Sequence, residues 1–321
     1  MLIINDVKIS YIFKNMYFRL LVASREFIEE LNAIKADNIS GSEEILRKTL
    51  EIVQNELKRQ KERYTKLETI IDLMTKVVKA KPEMAVINNT VVYLIDFFQR
   101  GVPIEELTIR VKEKVDVMHQ KMVQNLVNYL KRSTVVLTFS RSSSIYSGLK
   151  RLAEEEEKLP KLIIFEGRPM LEGKKLALEA AELGYKVKYF VDAAMTLAIR
   201  KFNPDFIIVG ADTIFSNGSV ANKIGSYSLA IIAKEFGIPF YVVSTTLKLL
   251  LGAKEFKIQN YPTSEVWPEK INENIQVFNP YFEVIPNSYI SGYITEHGFT
   301  SSIPDVKYKI ESEYIKKMYE G

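Results

Sequence analysis

Short continuous apolar runs, each ending in a polar residue, set the rhythm of the second half of this chain. Val135-Val136-Leu137 leads into Thr138 and Ser140, Leu162 to Phe165 into Glu166, and Val187 to Val191 into Asp192. Phe206 to Val209 leads into Asp212, and Phe240 to Val243 into Ser244. Runs without alternation suit strands covered on both faces, as in a parallel sheet. Helical spacing fills the gaps, as in Leu171 to Leu183 and Ser226 to Phe236, so the repeated unit is a βα crossover. Ligands of open sheets bind outside the carboxyl ends of the strands. That rule gathers Ser140, Glu166, Asp192 and Asp212 into one crevice, joined by Asn222 and Lys223 from the stretch Ile207 to Tyr227. This stretch reads as a buried strand that breaks into a Gly/Asp/Asn-rich loop and then a helix. Any one of these serines or aspartates, taken alone, is explained as well by capping of the next helix. The set argues for a site.

The first half has a different period. From Leu20 to about Leu130 apolar residues recur at helical spacing among Glu, Lys and Arg, and glycine is nearly missing, which predicts an all-helical domain. The expected division is a helical domain over 1–131 and a Rossmann-like domain with a mostly parallel sheet over 132–321. Ser42 is placed as an N-cap with acidic residues after it. The helix is expected to run from Glu43 past Leu57, continuing or re-forming through Lys58 to Lys79. Lys81-Pro82 should end it, and Gly101-Val102-Pro103 marks another break. The segment Gln276 to Ile294, with short β-type runs, is expected to close the sheet and supply an oligomer contact.

Composition narrows the chemistry. The 321 residues carry 44 basic and 40 acidic side chains, a net +4 that gives no nucleic-acid signal. Cysteine is absent, which excludes disulfides, thiolate metal sites and thiol nucleophiles. With His119 and His297 as the only histidines, neither a metal centre nor a Ser-His-Asp triad is expected, and no cofactor is called for. Asp6, Lys8, Lys14 and Arg19 interrupt the apolar beginning, so the expectation is a cytoplasmic protein without a membrane span. Around Arg141, the hydroxyls of Thr138, Ser140, Ser142, Ser143 and Ser144 lie where a strand hands over to a helix, a setting that suits an anion such as phosphate. Arg168 and Lys223 add cations. No GxGxxG or Walker spacing appears, which disfavours dinucleotides and P-loop nucleotides.

These residues resemble a known superfamily. Asn38-Ile39-Ser40-Gly41, Thr138-Phe139-Ser140, Glu166-Gly167-Arg168-Pro169 with Glu172-Gly173, and Asp192-Ala193-Ala194-Met195 carry the likeness. So do Val209-Gly210-Ala211-Asp212, Asn217-Gly218, Asn222 to Tyr227, Ile238 to Val242, and Ile290 to Gly298. The pattern is similar to the α, β and δ regulatory subunits of translation initiation factor 2B, with ribose-1,5-bisphosphate isomerase and methylthioribose-1-phosphate isomerase.

The resemblance implies a helical N-terminal domain, a Rossmann-like C-terminal domain, and dimers or hexamers built through the latter. In the isomerase branch it implies a cysteine and an aspartate working as acid and base. Here the aspartate is Asp212, and Ser140 stands at the cysteine position. A thiol ionises near pH 8.5, whereas a serine hydroxyl needs an adjacent base, for which Glu166 or Asp212 is the expected candidate. The first expectation is therefore a non-catalytic, factor-like regulatory subunit. It would bind a phosphorylated sugar or nucleotide through Arg141, Ser142, Glu166, Arg168, Asp192, Asn222 and Lys223, with the α subunit of initiation factor 2 as partner. The alternative is an aldose–ketose isomerase using Asp212 with Ser140.

Overall fold

The computed structural model describes residues 23–37, 41–81, 84–250 and 260–303. The opening twenty residues, Asn38-Ile39-Ser40 of the quoted pattern, and Pro82 lie outside the described residues. Two compact units emerge, one of residues 1–114 with 308–321 and one of 115–307.

In the first unit, the helices are α1 (Arg25–Ala36), α2 (Ser42–Arg59), α3 (Leu67–Ala80) and α4 (Ala85–Gln99). Apolar spacing explains their packing. Phe27, Leu31 and Ile34 of α1 are buried, as are Ile45, Val53 and Leu57 of α2 and Leu73, Met74 and Val77 of α3. One expectation needs correction. Gly41, not Ser42, is the N-cap of α2, and Ser42 is a buried first-turn residue. Of the two courses left open after Leu57, the chain takes re-forming: α2 stops at Arg59 and α3 starts at Leu67, although no glycine or proline intervenes.

The interruption has a tertiary cause. Tyr64 is buried, and its hydroxyl donates to Glu56 Oε1 at 2.7 Å. The same buried carboxylate accepts from the Ser24 backbone N–H at 3.0 Å, from Gln60 Nε2 at 2.8 Å, and from the Ser24 hydroxyl. Glu56 thus ties the N-cap of α1 to the turn after α2. Glu56→Ala leaves several buried donors unpaired, each costing about 1–3 kcal/mol. We expect a loss of roughly 3 kcal/mol by urea denaturation, with Glu56→Gln milder.

The second unit holds β1 (Val135–Phe139), α6 (Ser143–Glu155), β2 (Lys161–Phe165), α7 (Glu172–Glu182), β3 (Val187–Phe190), α8 (Met195–Phe202) and β4 (Phe206–Val209). It continues with β5 (Thr213–Phe215), β6 (Val220–Lys223), α9 (Ser226–Glu235), β7 (Phe240–Val243), β8 (Leu249–Leu250), β9 (Phe282–Ile285), β10 (Gly292–Thr295) and β11 (Gly298–Thr300). α5 (Leu107–Leu130) contains the division between the units. The expected cut lay after residue 131, but Met122, Leu126 and Leu130 belong to the core beneath the sheet, which assigns the last turns of α5 to this unit.

The large sheet runs β11-β10-β7-β4-β1-β2-β3, parallel except for the antiparallel β10–β11 pair. Its central strands are apolar on both faces for the reason the continuous runs suggest. Leu137, Ile163 and Ile207 point into a core with α8 and α9, while Val136, Leu162 and Ile208 point into one with α5, α6 and α7. The fold is therefore α/β, a helical N-terminal part followed by a Rossmann-like part. From β1 the chain builds outward to β2 and β3, then returns to place β4 on the other side of β1. The topological switch point lies between β1 and β4.

A second sheet, β8-β5-β6-β9, departs from the sequence reading. The stretch expected to be a loop after Asp212 is instead an antiparallel hairpin, with Thr213 opposite Ala221. Asn217 and Gly218 shape its turn. Asn217 Oδ1 accepts from the Ser219 N–H at 2.9 Å, and Gly218 takes a φ of 84°. Asn222 and Lys223 therefore stand on a strand, paired with β9 at Glu283 and Phe282. The segment after Gln276 contributes to both sheets, β9 to the small one and β10 to the large one. Among the described residues no helix is long and apolar enough to cross a membrane.

Candidate active site

Ser140 leaves β1 and Asp212 follows β4, so the two residues lie beyond the two strands that flank the switch point. Ser140 is buried and has a φ of 62°. A non-glycine residue in that left-handed region costs about 1 kcal/mol, and such residues concentrate at functional sites. Gly167, itself at φ 70°, packs against it: a Cβ there would sit 3.3 Å from Ser140 Cα.

The Ser140 hydroxyl donates to Glu172 Oε2 at 3.0 Å, and Lys223 Nζ pairs with Glu172 Oε1 at 3.0 Å. Lys223 is buried beneath two aromatic rings, 4.7 Å from the Tyr281 centroid and 5.1 Å from that of Phe282. Its charge is thus shared between a carboxylate and two ring faces. The base expected beside Ser140 was Glu166 or Asp212, but the carboxylate that accepts its hydrogen bond is Glu172. The sequence reading quoted Glu172 in a motif without giving it a role. Its position at the first turn of a helix, directly before a glycine, was the available signal.

Burial is the main influence on Asp212 and pushes its carboxyl above the usual carboxylate range. Lys248 and Lys223 pull it back, and Glu172 pushes in the same direction as burial. The Asp212 residue as a whole is half-buried. Lys248, which the sequence reading missed, donates to the Ala211 carbonyl at 2.7 Å. It follows β7 in a short 3-10 turn, where no motif announced it.

The other candidates divide by what they touch. Asn222 Nδ2 donates to Ser226 Oγ at 2.9 Å, and that hydroxyl donates to the Lys223 carbonyl at 2.6 Å, which fixes the turn from β6 into α9. Asp192 accepts from the N–H groups of Gly167 at 3.0 Å and Arg168 at 2.8 Å, securing the loop after β2. Ser142 caps α6 by accepting from the Ile145 N–H. Arg141 is held by both oxygens of Glu179, at 2.8 and 3.0 Å, and lies 5.4 Å over the Tyr146 ring. Its charge is thereby committed to α7. Arg168 is exposed and Glu166 half-buried. Ser140, Asp212 and Lys223, with Glu172 and Lys248, form the charged centre. Asp192, Asn222 and Ser142 support the loops around it.

Fold and site together define a Rossmann-like protein with a hydroxyl, carboxylates and lysines beyond the strands at its switch point. The chain belongs to the Initiation factor 2 subunit family, whose model matches residues 38–302. It is similar to a methylthioribose-1-phosphate isomerase of Carboxydothermus hydrogenoformans, 39% identical over 186 residues, covering 54% of this chain and 51% of that protein. A methylthioribose-1-phosphate isomerase of Thermoanaerobacter sp. (strain X514) is 30% identical over 305 residues, covering 88% of this chain and 79% of that protein. The chain thus spans about half the length of the Carboxydothermus relative and most of the Thermoanaerobacter one.

Among solved structures, the translation initiation factor eIF-2B of Pyrococcus horikoshii OT3 matches with a TM-score of 0.73 at 26% identity, covering 88% of this chain and all of that one. The 5-methylthioribose 1-phosphate isomerase of the same organism matches with a TM-score of 0.56, also at 26% identity, covering 90% of this chain and 80% of that one. These comparisons correct the first functional expectation. Relatives at 30–39% identity are named as isomerases, which favours the isomerase alternative over a non-catalytic regulatory subunit.

Proposed function

We propose that this protein is an aldose–ketose isomerase of a sugar phosphorylated at C1, with methylthioribose 1-phosphate as the first substrate to try. The observation that carries the reading is the placement of two proton-handling groups, Ser140 and Asp212, beyond the strands flanking the switch point. The chemistry requires two. Opening the ring breaks the C1–O4 bond and delivers a proton to O4. A proton leaves the 2-hydroxyl as the carbonyl forms at C2, and the hydrogen at C2 is replaced by one at C1. Atoms balance with no external oxidant or reductant.

A carboxyl raised by burial holds its proton to higher pH than an exposed aspartate, which suits Asp212 to giving a proton to O4 and taking one from the 2-hydroxyl. Ser140 serves the carbon positions. Exposed Arg168 is available for the phosphate at the rim, with Lys248 adding positive charge beside Asp212. In this reading the protein self-associates and works in the cytoplasm. The test is incubation of purified protein with methylthioribose 1-phosphate, followed by phosphorus and proton NMR. Appearance of the 1-phosphorylated ketose is expected; an unchanged spectrum at high enzyme concentration overturns the reading. Ribose 1,5-bisphosphate in parallel reports whether a second phosphate is accepted. Sedimentation as a monomer at micromolar concentration would remove self-association from the proposal.

A further inference from the structure

We infer that Glu172 is the positioning residue that makes Ser140 competent, taking the hydroxyl proton of Ser140 as Ser140 takes a proton from the substrate. The inference rests on the isomerase reading and adds the step that reading lacks, because a serine hydroxyl alone is a poor proton acceptor.

The loop between β2 and α7 is shaped to deliver this carboxylate. Gly167 and Leu171 both adopt left-handed backbone, at φ 70° and 55°, and the Asp192 carboxylate fixes the N–H groups of Gly167 and Arg168 between them. Gly173 follows Glu172, and its N–H donates to the Glu166 carbonyl at 3.0 Å. A Cβ at Gly173 would lie 1.7 Å from the Phe165 carbonyl oxygen, so only glycine lets the first turn of α7 lie this close to the end of β2. That close approach brings Glu172 to Ser140. One Glu172 oxygen is anchored by Lys223, itself boxed by Tyr281 and Phe282, and the other accepts from Ser140.

The step balances. In the ring-opened intermediate the C2–H electron pair becomes the C1–C2 double bond of an enol. The C2 proton passes to Ser140 Oγ as the Ser140 proton passes to Glu172 Oε2. Return of the proton through the same relay to C1, with loss of the 2-hydroxyl proton to Asp212, gives the ketose. The titratable groups around the relay are Lys223, which pairs with Glu172, and Asp212 and Tyr281, whose ionisation the Glu172 charge opposes.

Two measurements test this. In the isomerase assay, Glu172→Gln should lower kcat by about 10²–10⁴-fold with KM little changed, the range for loss of a positioned acid or base. Glu172→Asp should restore part of the rate, and Glu172→Gln with Ser140→Ala should be no slower than Ser140→Ala alone. A Glu172→Gln variant that keeps kcat within a few-fold while Ser140→Ala is inactive overturns the inference and leaves the isomerase reading standing.

The second measurement does not need turnover. The chain has no cysteine, so Ser140→Cys introduces a single thiol whose ionisation can be followed by ultraviolet absorbance. With Glu172 beside it, this thiol should ionise above the ordinary value of about 8.5, and adding Glu172→Gln should bring it down by a unit or more, roughly tenfold in proton affinity. An identical titration in the two variants overturns the proton coupling. If the wild type turns over nothing, the isomerase reading fails, and the titration still decides whether Glu172 and position 140 share a proton.

Discussion

Asp212→Asn should lower isomerase turnover by about 10³-fold or more, within the range expected for loss of a positioned acid–base group, while leaving the protein folded and more stable at neutral pH. The two effects have one cause. Burial raises the Asp212 carboxyl above its ordinary range, so the folded protein binds that proton more tightly than the unfolded chain does. Between the unfolded and the folded ionisation points the native state therefore holds more protons, and stability falls as pH rises through that window. Above it, the full cost of a desolvated carboxylate is present; well below the ordinary aspartate range, it is absent. Asparagine removes the titration. The melting temperature of Asp212→Asn should exceed that of wild type at pH 7, and the gap should close on acidification. A variant less stable than wild type at pH 7 would mean that the attraction of Lys248 and Lys223 outweighs burial.

Gly173→Ala should cost about 3 kcal/mol, the upper end of ordinary overpacking. The added Cβ would meet backbone at 1.7 Å from Phe165 O and 3.0 Å from Glu166 O, which no side-chain rotation can relieve. Either the first turn of α7 moves away from β2 or the sheet end distorts, and both move Glu172 away from Ser140. Guanidinium denaturation should show the lowered midpoint, and the residual folded protein should have lost most of its activity. At Gly148 the corresponding Cβ would meet the Leu126 side chain, at 2.4 Å from Cδ2, so the clash there can be eased by a rotamer change. Wild-type-like stability for Gly173→Ala would show that this turn tolerates displacement.

Much of the architecture is legible because its cause is local. Apolar runs such as Leu162 to Phe165 must be covered on both faces, and the structure covers them on both faces. Helical periodicity in the first half gives helices, and strand ends gather Ser140 and Asp212 through a topological rule that needs no coordinates. The break at Arg59 is different. Nothing between Gln60 and Lys66 is a strong helix breaker, and the chain turns there because burying Tyr64 against Glu56 outweighs continuing the helix. The hairpin of β5 and β6 is likewise a pairing event: Thr213 to Lys223 lacks a long apolar run and becomes sheet only because β8 and β9 supply partners.

The site divides along the same line. Residue pattern by itself determined which strand ends and helix starts carry a hydroxyl, a carboxyl and a lysine, since these are set locally; that β1 and β4 are neighbours came from the fold. Partnership was decided only by tertiary structure. Arg141, which suits a phosphate in sequence, lies between Glu179 and Tyr146, and Glu172, thirty-two residues from Ser140, becomes its hydrogen-bond acceptor. Lys248, in the turn after β7, brings its charge to bear on Asp212. Side-chain pairing depends on how loops of different crossovers meet, and those distances are fixed by packing between elements rather than by the order of residues within any one of them.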